Sequence, residues 1–576
     1  MYLKKKNMPN GDIYLSIMEK YYDPVKKQSK ERTIEGIGYV SKLKAQYPDP
    51  IAYFSERADL LTLKKKEEEE KQQHVLTIDF SSKMDITTAD PRNVGYGIIK
   101  ELYRDLELDQ FWNRKTQNVD LSFNVDQIFQ LLVFSRALYP DSEKSAFEDR
   151  KQFFENFDVF SLDDVSRCLD VLHANREALQ QWIFKRSDKM IPRDLSVAFF
   201  NCTNYSLDIG RPDADLKDED GNVQMGLLTD RNGIPLAFEL FPDNESEKLH
   251  LRSTVRRVKE EYSDTRVIYV ADLSLNTEDN ICFMNGENEE DHNSGDGYVY
   301  GQSVCGADAE FKAYVLADGY TKDSVLDEDG NKIAFIHKSR IYPKEISVHV
   351  AKPGGTPALR VDQKQMVYYS DEFASKQRKK REAVIECAKD LIENPQNYDR
   401  VSSAAFSSYV INLAFHETSG EIIEGQHLYL DTEKIKEEEK YDGYYSIVSS
   451  ELEMSDFELL KTFSGLDRIE EAFEISTTEL SNESLYVSTD KYIDAYFTTS
   501  FTVLVIIRLL QAKLQDKFPV EQILESLSKY CCIPLDATIY QFVYYDEVLK
   551  ACSEIFDKEY SRRYLSRQQI QSLIGY

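Results

Sequence analysis

The chain has 576 residues, 41% of them hydrophobic and 12% aromatic, which is enough apolar matter for several packed cores and too much for a disordered chain. Its formal net charge is −30 and its isoelectric point is near 4.8. That balance excludes a protein that holds nucleic acid by its overall charge. Any such contact has to rest on locally concentrated cations.

Taken in order, residues 1–62 read as a small β-rich module. Ile13 to Met18 alternates, Asp23-Pro24 turns, and Thr33 to Val40 gives a second strand. Lys4, Lys5, Lys6, Lys26, Lys27, Lys30 and Arg32 make this the most basic portion of the chain. On the residues alone they are either the lysine-rich edges of an ordinary solvated hairpin or a nucleic-acid contact. Residues 63–92 read as a linker, opened by the charge block Lys64 to Lys71, an exposed linker or helix surface.

Residues 93–193 turn helical. Val94, Ile98, Ile99, Leu102 and Tyr103 fit one helix face, Ile128, Leu131, Leu132 and Phe134 a second, and Leu162, Val165, Leu169 and Leu172 a third, which opens with an N-cap at Ser161. Such a bundle could grip DNA or mediate dimerisation. Residues 194–290 begin with the strand-like run Ser196 to Leu207 and an acidic loop, Asp213 to Asn222. Two strands follow, Val223 to Thr229 and Ile234 to Phe241, around the hairpin signal Asp230-Arg-Asn-Gly233. A helix over Glu247 to Tyr262 leads to a strand, Arg266 to Ala271, that ends at Asp272.

Residues 291–455 read as a β-rich insertion, with strands at Gly297 to Val304, Lys332 to Ile336, Ile346 to Val350, Val367 to Tyr369 and Tyr444 to Ser449, and a basic helix around Lys376 to Arg381. Two acidic stretches starting at Asp218 and Asp327 look like calcium loops but lack the bidentate Glu, so they read as hairpin turns. Residues 456–515 form the next part, and the chain reads as helical from 497 through the C-terminal portion, 516–576. The run Phe501 to Leu510 contains Arg508 and is too short to span a bilayer, so it reads as a buried core helix. No signal peptide opens the chain, and the eight cysteines show no C-x-x-C pair. These features predict free thiols and a cytoplasmic protein without a membrane partner.

The stretch Phe463 to Tyr496 opens as an amphipathic helix, with Leu466, Ile469, Phe473, Ile475 and Leu480 mostly at three- and four-residue steps. Glu470 and Glu471 sit in it about 100° apart, so at most one can face a shared site. This stretch resembles the glutamate helix of DDE-type insertion-sequence transposases, in the branch with a Tyr-x2-Arg-x3-Glu-x6-Lys signature, a following Arg-Pro-Val-Tyr element and a later His. The matching positions here are Phe463, Leu466, Glu470 and Thr477, then Glu483 to Tyr486, then Tyr496. The run from Val223 to Asn244 also agrees closely with that family.

The resemblance implies an α+β and α/β multidomain fold: an RNase H-like mixed sheet with flanking helices, interrupted by a β-rich insertion, plus an N-terminal β module and a helical domain. It splits the core into 194–290 and 456–515. It implies a role in binding transposon-end DNA for the basic N-terminal module, a homodimer, and Mg²⁺ or Mn²⁺ as cofactor. The implied catalytic set is Asn201, Asp272 and Glu470, with Asp272 and Glu470 as metal ligands. Asn201 stands where the family's first Asp lies, in Asn201-Cys202-Thr203. Asp194 and Asp208 are each seven residues away, an odd offset that puts them on the other strand face. Glu474, Thr477, Glu483 and Asp494 occupy positions that are Arg or Lys in the family, and three of them reverse the charge. An amide brings no charge to a two-ion centre, so the expected protein is transposase-like but has lost cleavage and strand transfer, leaving protein association or residual DNA contact near the nucleoid. Two alternatives stand beside it: an active two-metal cut-and-paste transposase, and an acidic protein-interaction or DNA-mimic protein.

Overall fold

The computed structural model describes residues 1–9, 11–23, 28–70, 91–140, 142–155, 157, 159–207, 221–242, 247–262, 265–285, 295–326, 332–347, 358–394, 408–412, 428–469, 471, 490–535 and 538–575. The chain forms two compact units, Met1–Ile86 and Thr87–Tyr576.

In the first unit β1 (Tyr2–Asn7), β2 (Ile13–Asp23) and β3 (Gln28–Tyr39) make an antiparallel sheet in the order β1-β2-β3. Leu15 on β2 is fully buried against Val40 and Phe54. Phe54 belongs to a helix, Pro50–Glu70, that the sequence reading did not include. Its apolar residues form only a narrow stripe, with Phe54 and Ala58 buried one turn apart, before the charges begin. The charge block is therefore the end of this helix rather than the start of a linker at 63. Residues 71–90 lie outside the described residues.

The second unit is a mixed α/β assembly. It opens with β4 (Arg92–Asn93), followed by helices that include Tyr96–Asp105, Val125–Leu138, Leu162–Ala174 and Arg176–Met190. They bury the apolar faces predicted for them, Leu162 excepted, and Ser161 forms a capping box with Asp164. Then come β5 (Val197–Leu207), β6 (Gly221–Asp230), β7 (Pro235–Pro242), β8 (Ile268–Ala271), β9 (Gly297–Gln302), β10 (Thr321–Leu326), β11 (Lys332–Ser347) and β12 (Ala358–Tyr369). The short β13 (Val410–Ile411) and β14 (Tyr429–Leu430) pair with each other, and β15 (Tyr444–Ser449) returns to the main sheet.

Among the described residues that sheet has nine strands, in the order β10-β11-β12-β15-β9-β8-β5-β6-β7. β5, β8 and β9 are mutually parallel, and the other neighbours are antiparallel. The strands expected to form an insertion thus extend the same sheet. β9 lies directly beside β8, and its run Gly297 to Gly301 is buried throughout. Strand periodicity marks such segments as extended but carries no information about which edge they join. One face of the sheet packs on the helical region and on the long helix Asp490–Lys513, which holds the apolar run from Phe501 and is buried. The opposite face packs on the helices Glu247–Glu261 and Glu278–Met284.

At the β6–β7 turn, Gly233 adopts φ +76, and Asp230 Oδ1 accepts hydrogen bonds from the backbone N–H groups of Asn232 and Ile234, both at 2.9 Å. Asp230 is fully buried and paired with Arg193 at 2.5 Å. The C-terminal portion is not wholly helical, which corrects the sequence reading. β16 (Cys531–Pro534), β17 (Ile539–Phe542) and β18 (Tyr564–Ser566) join β4 in a sheet ordered β18-β17-β16-β4. Strands of three or four residues are too short to display alternation, and β4 reaches β16 from the far end of the unit.

Candidate functional site

The register between β5 and β8 sets the site. Phe199 lies opposite Val270, and Phe200 opposite Ala271. Asn201 and Asp272 are the next residue on each strand, so they come side by side at the carboxyl end of β8, where open α/β sheets gather functional groups. Val197, Phe199 and Val270 belong to the core on the helical side, whereas Phe200 and Ala271 belong to the opposite core. By alternation Asn201 and Asp272 both face the helical side. Asn201 Oδ1 accepts from the N–H of Cys202 at 2.8 Å, and Asp272 Oδ1 from that of Leu273 at 2.6 Å. Gly301 on β9 makes room for this turn: a Cβ there would lie 3.1 Å from the Leu273 nitrogen and 3.4 Å from its Cα.

The helix Asp456–Phe463, prolonged through Ser464–Leu466, crosses the same face. Gly465 lies directly on the Phe199 ring, a contact that no side chain at 465 would allow, and Leu466 and Ile469 are buried in the helical-side core. The helix therefore approaches β5 two residues from Asn201. Glu470 itself lies outside the described residues. Its neighbour Glu471 pairs at 2.9 Å with Arg508, which is 5% exposed and also donates to the Arg468 carbonyl. Of the two adjacent glutamates, Glu471 is already committed to the structure.

The start of this helix is fixed by a charged network the sequence did not disclose. Asp456 takes Lys364 Nζ at 2.8 Å and lies 2.7 Å from His337 Nδ1, while His337 Nε2 lies 3.0 Å from Asp323. Burial works to raise the Asp456 carboxyl, but hydrogen bonds from Lys364, His337 and Ser339 outweigh it and hold the group below its ordinary value. These partners come from β10, β11 and β12, so only the assembled sheet brings them to Asp456.

The donors described at the site are one carboxylate and one amide. Among the described residues no group of three or more His, Cys, Asp or Glu is arranged to hold a metal ion. Two divalent ions require several anionic oxygens, and Asp272 with Asn201 does not fit that need. Asp194 lies at the other end of β5, where it accepts from Ser196 and pairs with Arg231, and Asp208 lies outside the described residues.

The remaining candidates divide. Lys4 pairs with Glu31 at 2.6 Å and Arg32 with Glu19 at 2.5 Å, while Lys5 and Lys6 are exposed on β1. Lys30 lies on β3, and Lys26 and Lys27 lie outside the described residues. Lysines along the edge strand β1 are also the ordinary guard against edge-to-edge pairing. Asp494 does not project into an open groove. It lies 2.5 Å from His173 Nδ1 and accepts from Arg176 at 2.8 Å, both from the helical region. Tyr496 is buried, with the Arg136 guanidinium 3.8 Å from its ring centre. Glu474, Thr477 and Glu483 to Tyr486 lie outside the described residues.

No protein-family model and no curated protein matches this chain. Among solved structures it is similar to a piggyBac transposase in a synaptic complex with hairpin DNA, at 8% identity and a TM-score of 0.34, covering 76% of this chain and 77% of that one. A likeness that distant carries no argument about fold or activity.

Proposed function

We propose that this chain is a DDE transposase-like protein with an RNase H-like core that has lost DNA cleavage and strand transfer. The observation that carries the reading is the placement of Asn201 beside Asp272: a neutral amide stands where two-ion chemistry needs an anion. The strand order β7-β6-β5-β8-β9, with an antiparallel β5–β6–β7 meander and parallel β5, β8 and β9, supports the core assignment. Glu470, which follows in sequence the segment that Gly465 seats on Phe199, would be the remaining acid. Mg²⁺ or Mn²⁺ would find too little negative charge here to bind as a pair, and no step is assigned to either ion.

The test is a nicking and strand-transfer assay on duplexes carrying the DNA that flanks the chain's own gene, with Mg²⁺ or Mn²⁺. No product is expected. Metal-dependent cleavage that disappears on Asp272→Ala would establish an active transposase instead. A second reading, an acidic protein-association role, is favoured by the net charge of −30 and by the internal pairing of Lys4 and Arg32. It predicts salt-sensitive capture of a basic partner and no retention on DNA.

A further inference from the structure

The run Lys376 to Arg381 carries cations at every position but Gln377 and contains no acid, in a chain of net charge −30. It lies in the first half of the helix Asp371–Glu393, which opens at Ser370 with a side-chain cap to Phe373 N–H. Ala374, Arg381, Ala388 and Leu391 form the buried stripe. Arg381 is anchored by two hydrogen bonds of 2.5 Å to Asp442, and Gln377 accepts from the N–H of Gly443. These contacts set which side of the helix is turned to the protein and leave Lys376, Arg378, Lys379 and Lys380 exposed. Lys376 makes a surface pair with Glu372 at 2.8 Å, whereas Arg378, Lys379 and Lys380 have no ion-pair partner among the described residues.

The position of this helix is as informative as its charge. It leaves the sheet at Tyr369, which pairs with Tyr444, and Ser446 of the same strand pairs with Gln302. Gln302 ends β9 two residues after Tyr300, the partner of Ala271. The helix thus starts from the end of the sheet that carries Asn201 and Asp272, three strands from β8, or about 14 Å across at ordinary strand spacing. The Lys376 ammonium is held above its ordinary value mainly by its hydrogen bond and charge pairing with Glu372, and the charge of Asp467 adds a smaller push in the same direction.

We propose that Lys376, Lys379 and Lys380, which fall within about 100° of one another around the helix, form a binding face for the phosphate backbone of duplex DNA, with Arg378 on the other exposed flank, at the end of the sheet where Asn201 and Asp272 lie. Four unburied cations on one helix suit a regular polyanion, whose affinity comes from counterion release. A folded protein partner would need apolar anchors as well, and among the described residues this helix has no large exposed apolar side chain. The proposal depends on DNA being a ligand of the chain but not on the loss of cleavage.

The experiment titrates a fluorescein-labelled, random-sequence DNA duplex with the full-length protein over a range of KCl concentrations. It compares the wild type, the variant Lys376→Gln, Arg378→Gln, Lys379→Gln, Lys380→Gln, and the variant Lys4→Gln, Lys5→Gln, Lys6→Gln. The helix variant is expected to bind at least about tenfold more weakly at low salt and to lower the salt slope by about one per phosphate contact removed. Its melting temperature should match the wild type, because the changed side chains are exposed. The N-terminal variant should lose less affinity than the helix variant, because Lys4 is already paired with Glu31. Three results would overturn the proposal: a wild-type chain that does not bind DNA, a loss of binding confined to the N-terminal variant, or a helix variant that alters only self-association in light scattering. Cleavage by the wild type would overturn the proposed function and leave this face standing.

Discussion

Asn201 and Asp272 follow directly on Phe200 and Ala271, the last matched pair of two parallel strands, and both face the helix that Gly465 seats on Phe199. That neighbourhood holds one formal negative charge among its described donors, and the charge is the variable to change. Asn201→Asp is expected to create a divalent-ion site. Adding millimolar Mn²⁺ should then raise the melting temperature by on the order of 2 °C, against no change for the wild type. Strand transfer should stay absent in the single variant, since the acids at 474 and 483 remain in the sequence. Recovery of transfer from this one change would refute the reading of those positions.

Gly301 gives a second handle on the same turn. A side chain at 301 meets the Leu273 backbone at 3.1 Å and 3.4 Å, and backbone cannot swing aside as a side-chain tip can. Gly301→Val should lower stability by about 1–3 kcal/mol, the usual range for overpacking. In the Asn201→Asp background it should also abolish the Mn²⁺ response. Urea denaturation and the same thermal scan measure both effects, and a preserved response would mean that Gly301 does not position Asp272.

Arg193 and Asp230 form a buried pair, 1% and 0% exposed, that ties the end of the helical region to the β6–β7 turn. Arg193 also donates to Ser187 Oγ at 2.7 Å and to the Ile234 carbonyl at 2.7 Å. Asp230→Ala leaves the guanidinium buried without its counter-ion and strips the turn of its two backbone caps, so a loss of about 3–5 kcal/mol is expected. Replacing both residues, with Arg193→Met and Asp230→Leu, should cost less than Asp230→Ala alone. Chemical denaturation of the single and double variants decides it.

Asp456 links stability to pH. Its folded-state carboxyl is held below the ordinary value of 3.8. The stability it contributes is therefore fully present above about pH 4 and is lost as pH falls through the depressed folded-state value. Asp456→Asn should destabilise by about 1.5–3 kcal/mol at neutral pH, the range for hydrogen bonds to charged groups. The gap between variant and wild type should then close below pH 4. A constant gap in urea midpoints from pH 7 to pH 3 would assign the effect to packing instead.

The sequence by itself determined the local elements and the chemistry of each position. Ser161 announced its cap, Asp230 to Gly233 announced a hairpin, and Leu466 and Ile469 announced the buried side of a helix, because these signals depend on neighbours within one turn or one strand. It also determined that position 201 is an amide, which no fold can change. Tertiary structure decided how the strands join. β9 and β15 are extended and buried in any reading, but only hydrogen bonding across the sheet puts β9 beside β8 and β15 beside β9. Three-dimensional structure likewise converted Asp494 from an apparent repulsive acid into the partner of His173 and Arg176, and it brought the basic helix to the Asn201 end of the sheet. Such facts are set by pairings between residues hundreds of positions apart, and one-dimensional periodicity carries no term for them.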